Sequence, residues 1–265
     1  MDQQYWKNID AHAKIWIHQA ANLIKDSFTD ELMVEFKSNP SDLVTNMDVK
    51  IEKFFIEQIH ATFPDHRILG EEGVGEEITS LEGTVWIIDP IDGTTNFVHQ
   101  QRNFAISIGI FHEGIGMLGY IFDVVGGELF HAMKGNGAYV NEKALKDLQP
   151  ITLEEALFSM NASWVTENRR IDYRKLAPIV KAARGIRSFG SAALELAYVA
   201  AGRIDGYLSM RLSPWDVAAG IVLLNEVGGK ATTIEGEPLS LLNENTLLAS
   251  KPKLHENIIK EYINK

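Results

Sequence analysis

Asp89 and Asp92 stand three residues apart in Trp86-Ile87-Ile88-Asp89-Pro90-Ile91-Asp92-Gly93-Thr94-Thr95-Asn96-Phe97. Carboxylate oxygens without sulfur or imidazole suit Mg, Mn or Ca rather than Zn. Gly93 permits a tight backbone just after the pair. Thr94, Thr95 and Asn96 have the chemistry of a helix start, where free N–H groups receive an anion. A hard divalent cation next to an anion site points to phosphate chemistry. A lone Asp-Pro would be an ordinary turn before a helix cap, but the full string carries more than a turn requires.

The elements that must hold this string follow from the apolar pattern. Thr84-Val85-Trp86-Ile87-Ile88 reads as a buried strand ending at Asp89. In a straight strand, positions three apart face opposite ways. Pro90 cannot continue a central strand, so a turn there is expected to bring Asp89 and Asp92 together. Residues from about 5 to 28 form an amphipathic helix on Ile9, Ala13, Trp16, Ile17, Ala20 and Ile24. A polar stretch from Lys37 to Asp42 breaks the pattern. A second helix runs from near Thr45 to before Pro64, with Ile51, Phe55, Ile59 and Phe63 on its buried face. Phe104 to Val140 is β with Gly-rich turns. Gly114-Ile115-Gly116-Met117-Leu118-Gly119 has dinucleotide-fingerprint spacing, but strand-like sequence flanks it on both sides, so it reads as a hairpin. Beyond Pro150 helices and strands alternate. Ser191 caps one helix, and Asp216 is expected to cap another that ends at Gly228-Gly229. Two α/β portions are expected, 1–145 and 146–265.

Other acids stand at breaks in the pattern. Glu71, with Glu72 beside it, follows the short strand Ile68-Leu69; alone it would read as a solvated loop charge. Asp48 closes the capping-box string Thr45-Asn46-Met47-Asp48 and alone reads as a cap. Lys37 is by default a surface cation.

Composition narrows the class. The chain has 265 residues, 45% of them hydrophobic, which supports a sizeable core. It has no cysteine, which excludes disulfides and thiolate metal sites and fits a cytoplasmic protein. Its net charge of −11, with no basic block, argues against sequence-independent nucleic-acid or anionic-membrane binding. The N-terminus lacks the pattern of a signal peptide, and no apolar run approaches a membrane span. An acidic protein that handles phosphate needs cations, which again suggests metal.

Taken together, the chain resembles the inositol monophosphatase family of metal-dependent sugar phosphatases. The likeness rests on Asp42-Leu43-Val44-Thr45-Asn46-Met47-Asp48, Gly70-Glu71-Glu72, the Trp86–Phe97 string, Gly185-Ile186-Arg187-Ser188-Phe189-Gly190-Ser191-Ala192-Ala193 and Pro214-Trp215-Asp216-Val217-Ala218-Ala219-Gly220, in the family's order. It implies an α/β fold, an alternating αβαβα layered sandwich, and a Mg2+-dependent phosphomonoesterase with two to three ions per site, Mn2+ being a possible substitute. It implies metal ligands at Glu71, Asp89, the Ile91 carbonyl, Asp92 and Asp216, with Glu72 as a further candidate ligand. Asp48 and Thr94, together with Glu71, would act on an attacking water. Gly93, Thr94 and Thr95 would receive phosphate oxygens, while Gly190, Ser191, Ala192, Ser209, Arg211 and Lys37 would face the substrate. Lithium sensitivity and a homodimer are further family expectations. The chemistry agrees: phosphate monoesters hydrolyse extremely slowly alone, and cations offset the repulsion of the nucleophile. Asp89 as a covalent nucleophile ranks low, because a carboxylate bridging cations is already committed.

Substrate choice is where the resemblance thins. Animal relatives carry a glutamate in the strand before the tryptophan-aspartate motif, where it binds inositol hydroxyls; counting back from Asp216, that position here is Ser209. The loss of a charge-assisted hydrogen bond is worth roughly 1.5–3 kcal/mol, so a broader substrate range is expected. Arg211 and Arg187 are candidates for a cationic rim suited to a second phosphate. The competing readings are an NADP 2′-phosphatase or adenosine bisphosphate phosphatase, a fructose-1,6-bisphosphatase, a non-catalytic scaffold on the same fold, and a nicotinamide oxidoreductase resting on the rejected glycine pattern.

Overall fold

The computed structural model describes residues 3–29, 33–36, 43–75 and 77–264. Helix α1 (Gln3–Asp26) buries the predicted stripe of Ile9, Ala13, Trp16, Ile17, Ala20 and Ile24. A short hairpin of β1 (Val34–Phe36) and β2 (Leu43–Thr45) leads into α2 (Asn46–Thr62), whose Ile51, Phe55 and Ile59 are fully buried. The main sheet follows: β3 (Arg67–Gly70), β4 (Thr84–Asp92) and, after helix α3 (Thr94–Gln100), β5 (Ala105–His112), β6 (Ile115–Asp123), β7 (Glu128–Met133), β8 (Ala138–Val140) and β9 (Lys143–Ala144). These seven strands lie side by side in chain order; β3 and β4 are parallel and every later pair is antiparallel. The β5–β6 hairpin occupies the glycine pattern that mimics a dinucleotide fingerprint.

The second half supplies β10 (Leu157–Met160), α4 (Ala177–Ala182), β11 (Gly185–Arg187), α5 (Ala192–Ala200), β12 (Gly206–Leu212), α6 (Pro214–Glu226), β13 (Lys230–Thr232), β14 (Asn245–Ser250) and α7 (Leu254–Ile258). Its sheet has the order β11-β10-β12-β14-β13. Side-chain parity along β4 sorts the layers. Trp86 and Ile88 pack with α1 and α2, while Val85 and Ile87 pack with α5 and α6. Tyr207, Leu247 and Ala249 of the second sheet meet α5 and α6 from the other side. Leu208, Met210 and Leu248 face Ile179 of α4 and Ile258 of α7. The result is an αβαβα sandwich, as the sequence predicts.

Two details of packing position the site. α6 lies unusually close to the main sheet: a Cβ on Gly109 would stand 2.6 Å from Ala218 Cβ, and one on Gly119 would stand 2.6 Å from the Ala219 carbonyl. Ser107 on β5 also donates to the Trp215 carbonyl at 3.2 Å, so the start of α6 is tied to the strand beside Asp89. On the opposite face, the buried Trp86 indole donates to His66 Nδ1 (2.9 Å), whose Nε2 meets the Tyr5 hydroxyl at 2.7 Å. Burial lowers the His66 pKa to about 4, so the imidazole is neutral and serves as a satisfied joint between α1 and β4.

Candidate active site

The Asp89–Asp92 convergence has a different origin from the turn expected at Pro90. β4 continues through Pro90 to Asp92. Asp89 pairs with Ser107 of β5 and Asp92 with Ala105, a slip of one residue between the two pairs. One extra residue on β4 restores the parity that a three-residue spacing lacks, and a bulge is where a central strand tolerates proline. Both carboxylates therefore emerge on the α6 side of the strand's C-terminal end.

Asp216 meets them there. Its N-cap role is taken by Ser213: Asp216 is the third residue of a capping box and accepts from the Ser213 amide at 2.7 Å. Among the described residues, Asp89, Asp92 and Asp216 offer carboxylate oxygens that all lie within 4.8 Å of one another. The Glu71 side chain reaches Asp89 from the loop after β3 and is in hydrogen-bond contact with it, and its own amide donates to the Ile88 carbonyl at 3.2 Å. Glu72 follows on that loop, outside the three-acid group.

This crowding shows in the acidities. Burial first, then the charges of Glu71, Asp92 and Asp216, hold Asp89 well above the ordinary carboxylate range. Asp216 is raised by burial and by Asp92 and Glu71. Asp92 is raised by burial to about 6, against the hydrogen bonds it accepts from Ser191 and from the Ala193 amide at 2.7 Å. Buried acids converging this closely call for a cation. The donors are oxygen alone, the set that suits magnesium. Magnesium takes oxygen ligands at about 2.0–2.1 Å in an octahedron, which puts opposite ligands roughly 4 Å apart, comparable to the spread of these three acids.

The predicted partners gather round the cluster. Asp48, buried, receives the Thr45 amide (2.8 Å) and hydroxyl (2.6 Å) on Oδ2, which is the predicted capping box. Its Oδ1 faces the Thr94 hydroxyl at 3.3 Å, and the same hydroxyl lies 3.1 Å from the Ile91 carbonyl. Cap and site residue are thus one and the same group. Gly93 links β4 to α3 with φ +96°, and a Cβ there would stand 3.2 Å from both the Asn103 and Gly190 carbonyls. Only glycine fits that backbone without strain. Thr95 follows Thr94 in the first turn of α3. Buried Asn96 donates to the Asn103 and Phe189 carbonyls, 2.7 Å each, tying α3 to the 189–191 loop.

A cavity of about 510 Å3 opens from Asp92 and Asp216. Gly190, Ser191, Ala192, Ser209 and Arg211 are among the residues that line it. Ser209 is buried and exchanges weak contacts with the Arg211 backbone, 3.3 and 3.5 Å. Arg187 is exposed, donates to the Ile186 carbonyl and is not part of the lining; Arg170 stands on the rim instead. Lys37 and Asp42 lie outside the described residues.

Three side chains at the site had no reading from the sequence. Glu195, buried on α5, accepts from the Phe189 amide at 2.7 Å and from the Gly190 amide at 3.4 Å, and burial raises its pKa to about 7. Glu52, fully buried on α2, accepts from the Glu72 and Val74 amides at 2.8 Å each and so fixes the loop that carries Glu71. Trp164 closes the cavity wall. The faint signals were an acid bordering the Ile51–Phe55 stripe and an acid one turn into a helix.

An αβαβα sandwich with an all-oxygen acidic cluster at the inner end of a polar cavity defines a metal-assisted phosphoric monoester hydrolase. Residues 6–264 match the inositol monophosphatase family model. The inositol-1-monophosphatase of Bacillus subtilis (strain 168) is 62% identical over 259 residues, 98% of this chain and 98% of that protein. The staphylococcal SaIMPase-II, solved with inositol monophosphate bound, is 39% identical with a TM-score of 0.88, over 97% of this chain and 94% of its own. An IMPase/NADP phosphatase solved with Mg2+ and phosphate has a TM-score of 0.89 at 30% identity, over 97% of this chain and 95% of its own. The chain belongs to the inositol monophosphatase family and is a phosphatase.

Proposed function

We propose that the protein is a Mg2+-dependent phosphomonoesterase acting on inositol monophosphate and related small phosphate monoesters, working in the cytoplasm as a lithium-sensitive homodimer. The observation that carries the activity is the convergence of Asp89, Asp92 and Asp216, joined by Glu71, at the inner end of a cavity walled by the second sheet. The relatives support it: one was solved with inositol monophosphate and another with Mg2+ and phosphate. No helix among the described residues is long and apolar enough to cross a membrane.

Glu71, Asp89, the Ile91 carbonyl, Asp92 and Asp216 would hold two to three magnesium ions, with Mn2+ as a substitute. Bound there, the metal supplies activation of a water nucleophile and neutralisation of charge on the phosphate and the leaving oxygen. The chain's own residues do the rest. Asp48 closes its cap through Oδ2 and faces Thr94 through Oδ1, and in this reading Thr94 orients the water and Asp48 accepts its proton. The Gly93, Thr94 and Thr95 amides receive phosphate oxygens whose charge grows in the transition state. Ser191 and the Ala193 amide fix the Asp92 carboxylate from the second half of the chain. The Phe189–Ser191 loop orients the organic part of the substrate. Ser209 offers it a hydroxyl in place of a carboxylate, which favours a broad range of alcohols.

The test is phosphate release from inositol 1-phosphate with Mg2+, with chelator and with added Li+. Turnover that requires Mg2+ and falls with Li+ is expected. Turnover undiminished by chelator would sink the mechanism.

A further inference from the structure

The turn between β7 and β8 holds the single Asn-Gly pair of the chain, Asn136-Gly137. Glycine flanks Asn136 on both sides, with φ +74° at Gly135 and +81° at Gly137. The asparagine itself is exposed. Asparagine followed by glycine is a chemically weak point in a backbone. The next residue has no side chain to hinder attack of its amide nitrogen on the carboxamide carbon. That attack closes a cyclic imide and expels ammonia. Water then opens the ring on either side and leaves aspartate or isoaspartate.

Glu226 stands against the first step. It is the last residue of α6, the end of a helix where the dipole disfavours a carboxylate. The turn explains its place there: Oε1 accepts from the Gly135 amide at 2.9 Å and Oε2 from the Gly137 amide at 2.8 Å. The Gly137 nitrogen is the atom that must lose its proton and attack. The carboxylate holds that proton in a charge-assisted bond and opposes the negative charge the nitrogen must acquire. The Asn136 carboxamide is held as well. Its Nδ2 donates to the Lys134 carbonyl at 3.2 Å, and its Oδ1 accepts from Gln3 Nε2 of α1 at 3.4 Å. Both of these contacts are exposed and longer, so the carboxylate is the stronger lock.

From this we infer that Asn136 is a deamidation site gated by Glu226: the Asn136-Gly137 pair persists while the clamp is closed, and converts to aspartate and isoaspartate once it opens. The new bond joins the Gly137 nitrogen to Asn136 Cγ. The bond from Cγ to Nδ2 breaks, and ammonia leaves with the proton of the Gly137 amide. Solvent water hydrolyses the imide and leaves one added carboxylate. That charge stands in the turn that Glu226 grips, and isoaspartate also inserts a methylene into the backbone between the two clamped amides. Both changes oppose re-forming the clamp. The turn is thereby released from α6, the helix that carries Asp216 in its first turn. Nothing in this chemistry requires phosphatase activity.

The experiment ages the full chain at mildly alkaline pH and follows it by tryptic digestion and mass spectrometry. Cleavage after Lys134 and Lys143 gives one peptide holding both Asn136 and Asn141, so fragmentation assigns the amide-to-acid mass change to one or the other. Wild type unfolded in guanidinium chloride should convert at Asn136 at least about tenfold faster than folded wild type, the worth of one charge-assisted hydrogen bond. Glu226→Ala and Glu226→Gln, shown folded by circular dichroism, should convert at Asn136 several-fold faster than wild type, with Asn141 unaffected. The glutamine variant keeps the shape of the clamp and removes its charge, so it decides the matter where the alanine variant does not fold. Asn136→Asp, which supplies the added carboxylate directly, should melt below wild type. Equal rates in folded and unfolded wild type would overturn the protection, and a folded Glu226→Gln protein converting at the wild-type rate would overturn the gate. Conversion at Asn141 ahead of Asn136 would remove the site. An Asn136→Asp protein that melts with wild type would overturn the release of the turn.

Discussion

Glu52 gives the sharpest test of how the metal site is held. Its carboxylate is fully buried, and both oxygens are spent on the loop amides of Glu72 and Val74, 2.8 Å each. That loop begins at Gly70, where an added Cβ would collide with the same carboxylate, and it carries Glu71 to Asp89. In Glu52→Gln the side chain keeps its shape, but one acceptor becomes an NH2 donor facing an N–H. One hydrogen bond to a charged group is lost, about 1.5–3 kcal/mol. If that energy appears as displacement of the loop, the metal-competent population falls by roughly 10- to 100-fold. The Mg2+ concentration for half-maximal activity should therefore rise at least tenfold, while kcat at saturating Mg2+ stays within about threefold. The assay is a Mg2+ titration of phosphate release, with circular dichroism to confirm folding and Glu57→Gln, exposed on the same helix, as control. A folded Glu52→Gln protein with an unchanged Mg2+ requirement would refute the assignment. A loss of kcat that excess Mg2+ cannot restore would do so too.

The elements that position the site were legible to different depths, and the reason is the range of the forces involved. The α1 and α2 stripes and the β5–β6 hairpin are written in local periodicity, and the structure follows them. The acid motifs could be assembled because Asp48, Glu71, Asp89, Asp92 and Asp216 each stand at an element boundary, where backbone chemistry marks the sequence. The strand's course past Pro90 was not legible: a bulge is defined by the partner strand's register, and Ser107 and Ala105 of β5 set it. The displacement of Asp216 from N-cap to the third helical residue was legible in principle, since Ser213-Pro214-Trp215-Asp216 is itself a capping-box string. Glu52 and Glu195 are harder, because an acid next to an apolar stripe looks the same whether its oxygens meet water or loop amides. The exchange of Arg187 for Arg170 on the rim lies beyond sequence altogether: one belongs to an edge strand and the other to a loop, and only the fold says which turns toward the cavity.

The remaining predictions bear on other parts of the site. Asp89→Asn should abolish turnover, because it removes the central carboxylate of the acidic cluster, while raising the melting temperature in chelator, because it removes a buried carboxyl whose ionisation Glu71, Asp92 and Asp216 oppose; a melting temperature below wild type in chelator would contradict this electrostatic picture. Gly93→Ala imposes a side chain at φ +96° with contacts at 3.2–3.3 Å. It should cost about 2 kcal/mol, or about 4 °C for a chain of this size, measurable by calorimetry, and wild-type stability would refute the strain. Glu195 contributes to the pH dependence of stability, alongside the acids of the cluster. Burial raises its folded pKa to about 7, above the ordinary carboxylate value of about 4.3 expected for the unfolded chain. Between these values the folded state binds the extra proton, so its contribution to stability is fully present below about pH 4 and is lost as pH rises toward 7 and beyond. A gap of between two and three pH units corresponds to about 3 kcal/mol. Glu195→Gln cannot ionise and keeps an oxygen for the Phe189 amide, so this loss should vanish. Denaturation in chelator should show Glu195→Gln gaining on wild type by about 2.5 kcal/mol between pH 5 and pH 8, the rest of the loss having occurred below pH 5. A stability difference that stays constant over that range would mean that Glu195 is already ionised at pH 5, held so by the Phe189 and Gly190 amides in spite of its burial.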